Sequence, residues 1–128
     1  MAEDNESIVR RFIADWSSLD ADRLVAYFTE DGVYHNMPIA PVAGQAALRK
    51  FIAAFIANWD STDWEILNLA VDGERVYVER IDRTIVVGTP VNLPCFGVFE
   101  MRGGKIAEWR DYFDMATYTK AVAAAPAD

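Results

Sequence analysis

Three features of the 128-residue sequence predict an α+β fold, with helices first and a sheet afterwards. Apolar residues recur at helical spacing in the first third. The second half is rich in β-branched and aromatic residues, and glycine-bearing turns separate its runs. Helices segregated to one face of a sheet give a two-layer domain, and a strongly twisted sheet beneath them can curl into a cone around a pocket.

Each element has its own signal. Ile8, Phe12 and Trp16 recur every four residues with Val9 and Ile13 beside them, which predicts a first helix capped by Asp4 or Asn5. Asp20 opens a second, short helix that buries Leu24, Val25, Tyr27 and Phe28 and stops at Gly32. Val33 to Met37 reads as a short strand, followed by a loop around Pro38 and Pro41. After Gly44, the positions Leu48, Phe51, Ile52, Phe55, Ile56 and Trp59 match a third helix. Four strands are then expected: Trp64 to Val71, Val76 to Val87, Val91 to Arg102, and Ile106 to Met115. Asp72-Gly73 and Gly103-Gly104 supply the positive φ angles that hairpin turns need. The tail from Ala121 to Asp128 is expected to fray.

Composition narrows the function classes. Hydrophobic residues make up 52% and charged residues 25%, an ordinary globular balance, so residues 1–128 are expected to form one domain. Twelve Lys and Arg against twenty Asp and Glu give a net charge of −8, which disfavours nucleic acid and anionic membrane as partners. Cys95 and His35 are the only residues of their types in this sequence, so no internal disulfide is expected and a zinc site of the usual ligands is not expected. No signal peptide or membrane span is legible, and the expected location is cytoplasmic.

Strand parity exposes polar residues in apolar company. In the last strand Ala107, Trp109, Asp111 and Phe113 share one face, so Asp111 points inward. An ionised carboxylate there needs a partner. The strand from Val76 is less decisive, because its other parity, Tyr77, Glu79, Ile81, Arg83 and Ile85, alternates apolar and charged; if Val76 and Val78 point inward, Arg80 and Asp82 point inward with them and offer a partner. An arginine fork can hold two carboxylates at once, and two carboxylates around one guanidinium are expected to share a proton near neutral pH. That places an acid beside a base, the arrangement push–pull catalysis needs. Tyr34 and Asn36 share a parity of the short strand and offer groups that can fix a water molecule. The competing reading is structural: buried Asp–Arg pairs can simply satisfy each other, Cys95 reads as a small core residue, and the tryptophans read as core, with Trp109 able to line a pocket beside Asp111.

The segments Tyr34-His35-Asn36-Met37-Pro38, Glu79-Arg80-Ile81-Asp82, Gly97-Val98-Phe99 and Trp109-Arg110-Asp111-Tyr112-Phe113-Asp114 resemble the limonene-1,2-epoxide hydrolases. These belong to the nuclear-transport-factor-2-like (SnoaL-like) superfamily, and the similarity runs from the first helix to Tyr118. The resemblance implies a cone-shaped fold, with N-terminal helices packed on a strongly curved mixed sheet that encloses a pocket. It implies Asp111 as the base that deprotonates water, Tyr34 and Asn36 as the residues that hold that water, Asp82 as the acid and Arg80 as the bridge between the carboxylates. It also implies no cofactor, no metal and a homodimer. Family members can carry an N-terminal extension without counterpart here, so a differently covered pocket is expected.

The expected function is one-step addition of water to a small apolar epoxide, of terpene or cycloalkene type, giving a vicinal diol. Two alternatives are a ketosteroid isomerase-like or SnoaL-like isomerase or cyclase, which needs no second carboxylate bridged through arginine, and a non-catalytic small-ligand binding module, for which a buried charged network carries a cost without a benefit.

Overall fold

The computed structural model describes residues 3–123. The chain runs α1 (Asn5–Asp15), a 3-10 turn at Trp16–Ser18, α2 (Ala21–Val25), β1 (Phe28–Asn36), β2 (Val42–Ala43), α3 (Gln45–Ile56), β3 (Trp59–Asp72), β4 (Arg75–Val86), β5 (Thr89–Arg102), β6 (Lys105–Tyr112) and α4 (Met115–Ala123). The strands form one six-stranded sheet in the order β2-β1-β6-β5-β4-β3. β1 and β6 are parallel and every other pair is antiparallel, so the sheet is mixed. The sheet curves around a cavity, with α1 and α3 packed on the sheet and α2 against these two helices. No described helix is long and apolar enough to cross a membrane.

The helix starts follow their caps. Asp4 accepts from the Ser7 amide at 2.8 Å, and Asp20 accepts from the amides of Asp22 and Arg23 at 3.1 and 3.3 Å. Gly44 precedes α3 at φ +90°, a conformation that favours glycine. The apolar stripe of α1 buries Val9, Phe12 and Ile13 against the sheet. Phe12 meets Phe28, Phe99 and Trp109 edge-on with ring centroids 5.2–6.0 Å apart. Trp16 stacks on Trp64 at 4.3 Å. Such pairs contribute roughly 0.5–1.5 kcal/mol each beyond their buried area.

Several expectations are corrected. α2 ends at Val25, and Phe28 already belongs to β1, so Gly32 does not stop a helix. Gly32 lies in an irregular stretch of β1, where a Cβ would sit 2.9 Å from the Phe28 Cβ; the chain needs it for close approach. Trp59 does not extend the stripe of α3 but begins β3, so that strand starts earlier than Trp64. β2 forms inside the stretch expected to be loop, as a two-residue edge strand beside Tyr34. The last strand stops at Tyr112, and Met115 opens α4. Residues 121–123 complete that helix, and the rest of the expected frayed tail lies outside the described residues.

Candidate active site

The inward face of β4 is a strict alternation: Val76, Val78, Arg80, Asp82, Thr84 and Val86 are all buried. The apolar members anchor the strand to the core, and the polar ones ride inward with them because parity leaves no choice. On β6, Trp109 is fully buried and carries Asp111 inward beside it. Asn36 pairs in register with Asp111 across the parallel β1–β6 ladder, and Tyr34 pairs with Trp109. The Met37 amide donates to the Asp111 carbonyl at 2.9 Å, which locks the two strand ends together. All five residues proposed from the sequence therefore meet at one place.

Arg80 is their hub. Its side chain has 0% exposure and makes four hydrogen bonds. Nε and Nη2 donate to Asp82 at 2.8 and 3.1 Å, while Nη1 and Nη2 donate to Asp111 at 2.8 and 2.5 Å. The guanidinium also lies 4.6 Å from the Trp64 ring centroid and 5.5 Å from that of Trp109. Burial disfavours its charge, but Asp111 and Asp82 outweigh burial and hold the guanidinium firmly protonated. One positive charge faces two carboxylates, so the trio carries one negative charge unless a proton is shared. Burial, reinforced by Asp111, pushes Asp82 up from 3.8 to about 6 against the opposing pull of Arg80. Asp82 is thus the group poised to carry a proton near neutral pH. Burial, with the charge of Asp111, also raises Tyr34, whose hydroxyl remains a neutral donor.

The two carboxylates of the trio, with Arg80 bridging them, face the polar end of a cavity of about 180 Å³. Tyr34, Asn36, Asp82 and Asp111 line that end. The rest is a predominantly apolar wall drawn from many elements: Phe51 and Phe55 from α3, Trp59 and Trp64 from β3, Leu93 and Cys95 from β5, Ile39, Phe113, and Met115 and Tyr118 from α4. Trp109 lies in the core and does not line the cavity. It stands behind the site, stacked on Tyr34 at 4.2 Å with the rings 2° from parallel, and so orients that ring. The two tryptophans on the wall are Trp59 and Trp64. Cys95 was expected in the core; it is buried, but it lines the cavity and its thiol lies 3.5 Å from Asp82 Oδ2. The sequence signal was its parity with Leu93 and Gly97 on the inward side of β5. Asp82, Cys95 and Asp111 bring potential ligand atoms within 4.8 Å of one another. A cation there must displace the guanidinium that already takes the carboxylate lone pairs, and the thiol is held protonated by burial and the charge of Asp82.

Gly97 completes the arrangement from β5. A Cβ at this position would lie 2.9 Å from Arg80 Nη1 and 3.0 Å from both Asp111 Oδ1 and Trp109 Nε1. Only a hydrogen fits behind the Arg80–Asp111 bridge.

Comparison with known proteins identifies the family and the fold. Residues 9–109 match the SnoaL-like domain. The chain is 30% identical over 107 residues to the epoxide hydrolase EphG of Mycobacterium tuberculosis, spanning 84% of this chain and 71% of that protein. The solved structure of an M. tuberculosis LEH-like epoxide hydrolase superimposes with a TM-score of 0.78 at 27% identity, over 91% of this chain and 87% of the other. A hypothetical protein with a ketosteroid isomerase-like fold from Catenulispora acidiphila superimposes with a TM-score of 0.81 at 21% identity, over 89% and 90% of the two chains, a likeness of fold.

Proposed function

The chain belongs to the SnoaL-like family, and from that premise we propose that it is an epoxide hydrolase of the limonene-1,2-epoxide hydrolase type. The observation that carries the reading is the single buried guanidinium bridging two carboxylates at the polar end of an apolar cavity. An isomerase needs one inward acid–base group, and a binding module needs none. The likeness to EphG supports the same reading.

In the proposed reaction, Asp111, Tyr34 and Asn36 hold a water molecule. Water oxygen bonds to an epoxide carbon, the carbon–oxygen bond of the ring breaks, and Asp111 takes the water proton. Asp82 donates its proton to the ring oxygen as negative charge develops there. A vicinal diol forms with neither carboxylate esterified. The two carboxyl groups hold one proton between them before and after the step, so with the charged Arg80 the trio has no net charge; return of the proton from Asp111 to Asp82 resets it. Arg80 keeps both carboxylates in place throughout. The cavity suits a small apolar epoxide of terpene or cycloalkene type. A homodimer is part of the same proposal, with the outer sheet face at Tyr77, Phe96 and Tyr112 as its apolar surface; Phe96 and Tyr112 are each 43% exposed.

Single-turnover hydrolysis in heavy-oxygen water tests the mechanism. The diol is expected to carry the label in the first turnover, with the protein unlabelled. Label in a peptide containing Asp82 or Asp111, with an unlabelled first diol, overturns direct attack by water. Conjugated enone from a Δ5-ketosteroid, without diol from any epoxide in a panel, favours the isomerase.

A further inference from the structure

Two inward residues of β5 face the ion network. Cys95 pairs in register with Arg80, and Gly97 pairs with Asp111. Gly97 leaves room for the bridge, whereas Cys95 adds a donor to it. Its thiol lies 3.5 Å from Asp82 Oδ2 and 3.5 Å from the Leu93 carbonyl oxygen. A thiol has one hydrogen and serves one of these acceptors at a time. Among the described residues, Arg80 and Cys95 are the only side chains that donate to Asp82. Arg80 is shared with Asp111 and held from both sides, so Cys95 is the only donor free to change partner.

We propose that Cys95 is a positioning residue for the acid of the reaction: its thiol donates to Oδ2 of the Asp82 carboxylate left by proton transfer and turns to the Leu93 carbonyl when Asp82 is protonated again. The proposal rests on the epoxide hydrolase reading for its catalytic meaning, although the contact itself does not. The groups facing Asp82 are Arg80 on its own strand, Cys95 on β5, Asp111 on β6 and Tyr34 on β1, while β3 presents the uncharged Trp64. Of these, burial and Asp111 favour the protonated acid, and Arg80 and Cys95 favour the carboxylate. The thiol stays protonated, because burial and the Asp82 charge both oppose its ionisation. It therefore remains a donor across the working range and stabilises only the ionised state of Asp82.

Removing the thiol hydrogen should make Asp82 a weaker acid. The basic limb of kcat/KM against pH reports the acid in the free enzyme. In Cys95→Ala and Cys95→Val this limb should move up by about 0.5–1 pH unit, the scale of one weak hydrogen bond to a charged group. Cys95→Ser restores an O–H donor and should return the limb towards its wild-type position. The valine variant fills the volume without a donor and separates packing from hydrogen bonding. A purely structural role would change KM or melting temperature and leave the limb in place. An unmoved limb in Ala and Val, or a serine variant that behaves like them, overturns the proposal. Titration of the Asp82 carboxyl carbon by 13C NMR reads the same shift without substrate. If wild-type protein hydrolyses no epoxide, the functional reading fails, and that titration still decides whether the thiol acts on Asp82.

Discussion

Gly97→Ala is the substitution whose effect follows most directly from the geometry. The added methyl would stand 2.9 Å from Arg80 Nη1 and 3.0 Å from Asp111 Oδ1 and Trp109 Nε1. Comfortable contacts to carbon begin near 3.5 Å, so each neighbour must retreat by about half an ångström. None is a flexible tip. Arg80 is held by four hydrogen bonds, and Trp109 is clamped between Tyr34 at 4.2 Å and Phe99 at 5.1 Å. Either β5 bows outward or the Arg80–Asp111 bridge opens. Overpacking of this kind costs about 1–3 kcal/mol of stability. A misplacement of 1 Å can lower a rate about 10²-fold, so half of that should lower kcat about tenfold. Gly97 is not on the cavity wall, and KM should change little. The assay is steady-state hydrolysis of a cyclic terpene epoxide alongside thermal unfolding. Wild-type kcat together with a wild-type melting temperature would show that the bridge has slack behind it and refute the reasoning.

Three further outcomes are expected. Asp111→Asn should lower turnover at least about 10²–10⁴-fold, since the amide cannot accept a proton. Tyr34→Phe and Asn36→Ala should lower kcat by less, with little change in KM; near-native turnover of folded Asp111→Asn by steady-state assay would remove Asp111 as the base. Stability should depend on pH through Asp82, which rises from 3.8 to about 6 in the folded chain. The native state therefore binds this proton more tightly than the unfolded chain. Its contribution is fully present below pH 3.8 and is lost as pH rises through about 6, an effect on the order of 3 kcal/mol. Denaturant unfolding of wild type and Asp82→Asn from pH 3.5 to 7 should show the wild type losing stability relative to the variant; a constant difference would sink the assignment.

The candidate site was legible in the sequence because it sits on strands. Asp111 interrupts an apolar run at inward parity, while Arg80 and Asp82 share a parity whose inward direction the structure fixes, because Val76 and Val78 are buried beside them. The cavity wall was not legible. Phe51 and Phe55 belong to the same apolar stripe of α3 as Leu48 and Ile52, and no local pattern distinguishes a ring facing a void from one facing the core. Cys95 read as a small apolar residue because its partner, Asp82, lies on another strand. α4 went unread because Met115–Ala123 is mostly small or half-exposed and buries none of its side chains. The parallel pairing of β1 with β6 joins segments far apart in the chain, and such pairing leaves no neighbouring turn as a signal.

That pairing governs when the candidate site can be completed as the chain is synthesised. β1 leaves the ribosome early, with only the two-residue β2 beside it, and its long partner β6 emerges near the end. Until β6 inserts between β1 and β5, Asn36 has no Asp111 at its side and Arg80 holds one carboxylate instead of two. Non-local closure of this kind is slow, because loop entropy is lost before contacts compensate for it. A nascent or truncated chain that ends before Asp111 lacks one of the two carboxylates around Arg80, so the ion network and the sheet are completed in a single event.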